Sequence, residues 1–571
     1  MPLSFIDLSL PMCGSAMLRR AVEDQGGTWV HHDDGKLAED IVFSKAAGRA
    51  PLTPWPDATG VSGLWSDHTQ HLPAIHAYRE VEYLADQFPD AIFLLTHRDR
   101  AEWITLRTLQ DDGRALDLAA WHAEIPRQDV AAHWLDEMEA HLEACSAIFR
   151  GSDRFVLFDM DRDPPEKLGQ RLVFGNAPVE VDPARAETAT LSAIKAVLAE
   201  LESPDILPPP PVFDVDFVDD VARHCHDISG EEGKPSYLAK DTLGYTTSGI
   251  VDKDGAPLPM LEQDSPSRIV CDPAARRYQR GHAALIEMID HGAKPSFWID
   301  MMDARWLGSP GRRHAPARTV VQCRRADVAN LTLWPLPGYH TIAPSGAPGG
   351  YPIDPLPFTD KIDRVCWLGN ITGRMHPDLT PDGRERRNVY NIRDQIAGAQ
   401  GAELPWDDII ADLMCVPRYR AVHALKDDPD FEIGLVARPK WRAAMRTKPF
   451  DGMIHHTVQP IWFYQFKYIL SLQGNDTGSN FLPAVASGSL VFKEEDGWEL
   501  FYTGVFKPWV HYIPISTGAT DVKEKLDWAR SHQAKCARMV AAARDVYAKL
   551  ADPVHRREYL GAIADGLNAG Q

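Results

Sequence analysis

The stretch KYILSLQGNDTGSNFLPAVASGSLVFK, residues 467–493, changes character twice. An apolar run stops at Gly474. Seven small or polar residues follow, GNDTGSN at 474–480, and then the chain turns apolar again. The first apolar run, YILSL, reads as a strand, and FLPAVAS reads as a short helix. Asn, Asp, Thr and Ser in between supply oxygens that satisfy free helix amides. Glycines allow a backbone to approach a ligand closely. A loop of this composition at the carboxyl end of a strand is where open α/β sheets bind nucleotides. Taken alone, it is equally a turn with a helix cap and no ligand.

The flanking chain continues the alternation. SLVFK at 489–493 and WVHYIPI at 509–515 are β-rich, and residues 521–551 form a long helical stretch interrupted near RSH. Strands alternating with helices imply a mostly parallel α/β sheet. Two seams divide what lies upstream. ESPDILPPPPVF at 202–213 holds four consecutive prolines, which continue neither a helix nor a central strand. The Pro- and Gly-rich segment 335–358 reads as loop. The expected organisation is a first domain over 1–205, a linker over 206–213, one lobe over 214–350 and a second over 351–571.

Composition narrows the function classes. A net charge of −21 argues against general nucleic-acid binding, which needs a basic surface, but leaves room for a local basic pocket. No window reaches the ~18 apolar residues of a membrane span. The opening residues lack the basic region of a secretory signal, and Asp7 and Pro11 break their apolar segment. The expected location is cytoplasmic, with peripheral contact at the inner face of a membrane left open. The 8 cysteines form no CxxC pair, so reduced thiols are expected.

Three acid or soft-ligand clusters invite a metal reading. DMD at 159–161 and DVD at 214–216 have the DxD form that holds a divalent cation on a nucleotide diphosphate. Such triplets arise readily by chance in a chain with 81 Asp and Glu, and Asp214 follows a proline spacer rather than a long strand. His224, Cys225 and His226 are the densest soft-ligand cluster, yet zinc needs about four ligands and no partner motif stands out. An ordinary histidine pair is the expectation, and no metal site is assigned.

Near the start, SFIDLSL reads as a strand, PMCGS as a small-residue loop and AMLRRAVEDQG as a helix. That geometry points free amides at a phosphate. A later strand ends in Arg98 and Asp99, and another, RFVLFDMD, ends in acids. The order resembles the sulfotransferase fold over roughly residues 1–200, with Arg98 and Trp103 matching that family's later segment. Met12 stands where the family has its lysine, and Leu106 where it has a serine. The resemblance therefore implies a degenerate, P-loop-like α/β scaffold. A developing sulfuryl charge needs the cation that Met12 cannot supply.

The C-terminal span resembles glycosyltransferase family 90, the capsule-associated, lipopolysaccharide-modifying and protein O-glucosyltransferase group. KPWVHYIP at 507–514, ASGSLVF at 486–492 and WELFY at 498–502 carry the resemblance, with the 474–480 loop. DRVCWLGNITG at 363–373 extends it upstream, and it is taken to cover about 215–560. Leu368 departs from the family's arginine, and Asn480 from an arginine of its animal branch. The resemblance implies a GT-B architecture of two Rossmann-like lobes, a UDP-sugar donor, inversion and no metal or other cofactor. It implies glucose or xylose as the sugar, and a glycan, lipopolysaccharide or lipid-linked saccharide as acceptor. It places Asp303, in FWIDMMDAR at 297–305, as the general base; capping of the turn is its alternative role. Donor contacts fall on Thr372, Arg374, Gly474, Asn475, Asp476, Ser479 and Asn480. Arg386 and Arg387 are further cations nearby, and Arg suits phosphate through its bidentate fork. Glu499 is matched to the ribose hydroxyls, with a solvated acid beside Trp498 as its alternative. The rival readings are a bifunctional glycosyl- and sulfotransferase, and a non-catalytic glycan- or nucleotide-binding protein.

Overall fold

The computed structural model describes residues 3–66, 74–110, 114–123, 125–174, 177–178, 181–182, 188–201, 210–227, 238–258, 260–262, 269–271, 277–303, 318–326, 331–337, 340, 354, 356–398, 403–437, 441, 443–458 and 460–569. The chain forms two compact units. The first contains Met1–Pro208, Pro257–Ile286 and Ala343–Ser345, and the second contains Pro209–Ala256, Glu287–Ile342 and Gly346–Gln571. The first is thus discontinuous, because segment 257–286 packs with it. Half of the expected proline linker, 206–209, lies outside the described residues. No helix among the described residues is long and apolar enough to cross a membrane.

The first unit is built on a five-stranded parallel sheet. Its strands are β1 (Phe5–Asp7), β2 (Trp29–His31), β3 (Gly60–Ser62), β4 (Ile92–His97) and β5 (Phe155–Asp159), in the order β2-β3-β1-β4-β5. Apolar side chains of β4 are buried on both faces, as a covered parallel sheet requires. The chain leaves β1 through residues 8–14 and enters α1 (Ser15–Glu23). Met12 (φ 64) and Gly14 (φ 90) both take left-handed backbone in that turn. The thioether of Met160 packs onto it: its Sδ lies 2.8 Å from where a Cβ on Gly14 would sit. Arg98 Nη2 donates to the same sulfur at 3.6 Å. The matched arginine therefore faces a methionine at the loop.

Asp99 caps α2 (Arg100–Leu109), accepting from the amides of Ala101 and Glu102. The DMD acids have local roles. Asp161 Oδ2 accepts from Asp99 N–H at 2.6 Å, and Asp161 N–H donates to Asp159 Oδ1 at 3.0 Å.

The second unit carries two six-stranded sheets. The first contains β6 (His226–Asp227), β7 (Leu243–Thr246), β8 (Gly249–Asp252), β9 (Phe297–Asp300), β10 (Thr319–Val321) and β11 (Leu331–Leu333), ordered β6-β11-β10-β9-β7-β8. Only β9, β10 and β11 run parallel, and the rest pair antiparallel. This sheet is mixed where a mostly parallel one was expected. The second contains β12 (Ile362–Gly369), β13 (Phe431–Val436), β14 (Ile454–His455), β15 (Phe466–Ser471), β16 (Leu490–Glu494) and β17 (Ile513–Ile515). It is parallel throughout, ordered β14-β13-β12-β15-β16-β17. Counted from β12, that is the 3-2-1-4-5-6 order of the dinucleotide-binding folds.

The helices named below are α3 (Val215–Cys225), α4 (Pro417–Leu425), α5 (Phe481–Ala486), α6 (Val522–Ser531), α7 (Gln533–Ala551) and α8 (Pro553–Ala569). The long helical stretch breaks at His532, as RSH suggested. Helix α8 packs against α3, returning the chain terminus to the first sheet. Asp214 caps α3 by accepting from Phe217 N–H at 3.0 Å, and Lys549 Nζ donates to its other oxygen at 3.0 Å. The His224–His226 cluster is spent on packing. The rings of His224 and His226 bond the carbonyls of Leu500 and Ala562, and the Cys225 thiol donates to that of Phe501. Among the described residues, no group of three or more His, Cys, Asp or Glu is placed to hold a metal ion.

Candidate functional site

Strands β12 and β15 lie side by side, yet the next strands lie on opposite sides of them. A crevice at their carboxyl ends is the place where such sheets hold ligands. Two loops form it: residues 370–374 after β12, and 472–480 after β15. They touch backbone to backbone. A Cβ on Gly373, whose φ is +103, would overlap the carbonyl of Gly474. One on Gly474 would lie 2.6 Å from Thr372 Oγ1 and 2.9 Å from Arg418 Nη2. Both glycines are therefore required by the loops themselves, before any ligand is considered.

The polar side chains of 474–480 divide by role. Asn475 Oδ1 accepts from Gly373 N–H at 3.2 Å, a second tie between the loops. Asn480 precedes α5 but does not cap it with its side chain, because its backbone (φ −86, ψ 0) is not the extended form a cap needs. Its amide donates instead to Leu470 O at 2.8 Å. Ser479 and Arg374 are exposed.

Arg418, at the start of α4, had no sequence motif to announce it. Its Nε donates to Gln473 O at 2.9 Å, Nη1 to Asn370 O at 3.0 Å and Thr372 Oγ1 at 2.8 Å, and Nη2 to Leu472 O at 3.0 Å. Burial pulls its pKa down to about 10, against the opposing charges of Glu494 and Asp476. It remains a cation at neutral pH. Other arginines are sorted by their partners. Arg384 and Arg387 both pair with Asp412. Arg374 and Arg386 are exposed and make no side-chain hydrogen bond or ion pair among the described residues.

Glu494, the last residue of β16, is fully buried. It accepts from the Gln473 amide at 2.7 Å, Gln473 Nε2 at 3.0 Å and Gly518 N–H at 2.7 Å. Burial nevertheless raises its pKa to about 7, with the charge of Asp496 adding to the effect. A raised carboxyl pKa means that the folded chain binds this proton more tightly than the unfolded one. The resulting stability is full below about pH 4.5 and is lost as pH rises through 7. Relative to Glu494→Gln, the wild-type chain should lose about 2 kcal/mol of stability between pH 5 and pH 8. Urea unfolding of both proteins at the two pH values checks this. An unchanged difference would mean the acid ionises as freely as in water.

The first sheet of the same unit brings Asp303 towards this crevice. Asp303 lies three residues beyond the carboxyl end of β9 and is exposed, whereas Asp300 is buried and accepts from Met302 N–H at 3.2 Å. Gln322, just after β10, donates Nε2–H to Asp303 Oδ1 at 3.2 Å. The next residue, Cys323, donates its thiol to Asp476 Oδ2 at 3.5 Å. Two neighbouring residues thus link the expected base to the 474–480 loop. Sequence reading missed Gln322 and Cys323, since neither belongs to a motif. Beside them, Arg324 Nε donates to Glu499 Oε2 at 3.0 Å, so one oxygen of Glu499 is already engaged. The rest of the Arg324 fork bonds the carbonyls of His224, Cys225 and Leu331.

Comparison with known proteins falls on the second sheet. The profile described as "Glycosyl transferase family 90" matches residues 441–551, which include β15, the 474–480 loop, β16 and β17. Asp303, Thr372 and Arg374 lie outside that match, which is shorter than the 215–560 expected from the motifs. Protein O-glucosyltransferase 1 of Rattus norvegicus is 37% identical over 68 residues, 12% of this chain and 17% of that protein. Protein O-glucosyltransferase 2 of Danio rerio is 30% identical over 87 residues, 15% of this chain and 17% of that protein. A protein of Frog virus 3 (isolate Goorha), named uncharacterized protein 027R, is 25% identical over 153 residues, 22% of this chain and 15% of that protein. The chain thus spans less than a fifth of the length of these relatives, and the part similar to glycosyltransferase family 90 contains one of the two crevice loops, 472–480.

Proposed function

We propose that this protein is an inverting glycosyltransferase that moves a sugar, glucose or xylose, from a UDP-sugar to a hydroxyl of a glycan, lipopolysaccharide or lipid-linked saccharide. The observation that carries the reading is the link from Asp303 through Gln322 and Cys323 to Asp476. It sets an exposed carboxylate from one sheet beside the switch-point loop of the other. In this reading the two sheets are the lobes of a GT-B fold, and the crevice between β12 and β15 takes the UDP.

The chemistry follows from those positions. The acceptor oxygen attacks the anomeric carbon as its proton passes to the Asp303 carboxylate. The bond from that carbon to the diphosphate oxygen breaks, and the electron pair leaves with UDP. Attack opposite the leaving group inverts the centre. The leaving charge is met by Arg374 and Arg386 and by amides of the loop beyond Gly474, whose own N–H donates to Asp476 O at 3.1 Å. Thr372 lends its hydroxyl proton to the phosphate, its oxygen being already bonded to Arg418. Ser479 is in reach of solvent-side donor groups, and the free oxygen of Glu499 serves the ribose. In the first unit, Met12 and the Met160 thioether stand where a sulfotransferase would hold its donor, so that unit is assigned a scaffold role.

Release of UDP from a panel of UDP-sugars, with and without EDTA, tests this. We expect turnover with UDP-glucose or UDP-xylose that survives EDTA. Loss in EDTA with recovery in Mn²⁺ would overturn the metal-free mechanism. The absence of UDP release and of UDP binding would leave the non-catalytic glycan-binding rival.

A further inference from the structure

We propose that Arg418 is a positioning residue, which, with Gln473 and Glu494, clamps the two crevice loops into register before donor arrives. The proposal rests on the reading of the crevice as the donor site. Residue Gln473, immediately before the glycine-rich loop, is held from both sides. Arg418 takes its carbonyl, and Glu494 takes its amide and its side chain. Gln473 and Glu494 are both buried, so these bonds are shielded from water.

The same guanidinium reaches the other loop. It uses four of its five N–H groups, two on 370–372 and two on 472–473. Each acceptor is a main-chain carbonyl or the Thr372 hydroxyl, so the fork reads the path of the backbone. Its Cζ lies 5.5 Å from the Trp367 ring centre, which braces it from the β12 side. An arginine so committed is not the one that neutralises the diphosphate. Its work is to hold Thr372 and Gly474 at the spacing the two glycines permit.

Lysine cannot do this. It presents three donors from one point and cannot span carbonyls of both loops. Arg418→Lys should therefore weaken UDP binding by about tenfold or more, through the loss of charge-assisted bonds that order the loops. The KM for donor in hydrolysis should rise in parallel, with kcat changed less. Glu494→Gln keeps the shape but turns one acceptor into an amide facing the Gln473 N–H, and a smaller loss of the same kind is expected. UDP calorimetry and donor hydrolysis on wild type and both variants decide the matter, with thermal unfolding alongside. Wild-type UDP affinity in folded Arg418→Lys overturns the clamp while leaving the donor site standing. Should that variant not fold, unchanged affinity in Glu494→Gln overturns it. A wild-type protein that binds no UDP removes both the clamp and the donor site.

Discussion

Asp303→Asn should lower sugar transfer by about 10²–10⁴-fold, the usual cost of losing a general base, while UDP binds as tightly as to the wild-type chain. The substitution is nearly isosteric, and the asparagine oxygen can still accept from Gln322 Nε2, which in the wild type donates at 3.2 Å. The supporting geometry therefore survives, and only the capacity to take a proton is lost. Asp303 is exposed, so no buried charge is removed and stability should stay within about 0.5 kcal/mol. UDP affinity by calorimetry separates this outcome from misfolding. Turnover like that of the wild type would assign Asp303 to the turn after β9 and return the search for a base to the other acids of that sheet end.

Among the described neighbours a second base is not at hand. Asp300 is buried and bonded to the Met302 amide, and Asp476 already accepts from the Cys323 thiol. Glu494 lies beneath the loop, fully buried and held by three N–H donors. Exposure to solvent distinguishes Asp303 from these.

What sequence could and could not reveal follows from the range of the interactions concerned. Local pattern sufficed for β15, α5, β16 and the break at His532, because each is set by apolar spacing within a few residues. The short strand after residue 512 is a different case. WVHYIPI reads as one β run, but Trp509 adopts φ 62 in a turn and only Ile513–Ile515 pair with the sheet. The mixed character of the first sheet was also hidden, since strand direction depends on partners far apart in the chain.

The site was half legible. The loop 474–480 was found from its composition, but the contact that Gly474 makes with the other loop was not. Gly474 is small because Thr372 and Arg418 press on it. Arg418 sits in an ordinary amphipathic helix, and all but one of its partners are main-chain carbonyls, which leave no trace in a sequence. Glu494 stands in the run KEED, yet β16 is buried on both faces and Glu494 with it. Residues whose role depends on backbone from another loop escape any reading by motif.

The loop contact itself yields the other large effect. Gly373→Ala places a methyl group into the Gly474 carbonyl at a backbone angle, φ +103, that side chains rarely adopt. The neighbour is main chain, so it cannot swing aside as a flexible side chain would. Strained backbone and overpacking each cost about 1–3 kcal/mol, so about 3 kcal/mol or more of stability should be lost. Relief comes only by parting the loops, which breaks the Gly373–Asn475 bond and pulls Thr372 from Arg418. UDP affinity should therefore fall with stability, by more than in Arg418→Lys, which removes bonds between the loops but forces no atom into their backbone. Urea unfolding and UDP calorimetry on the alanine variant test the two effects together. If the variant unfolds at the wild-type midpoint and binds UDP equally well, the loops are not held in contact, and the crevice must be ordered by the donor itself.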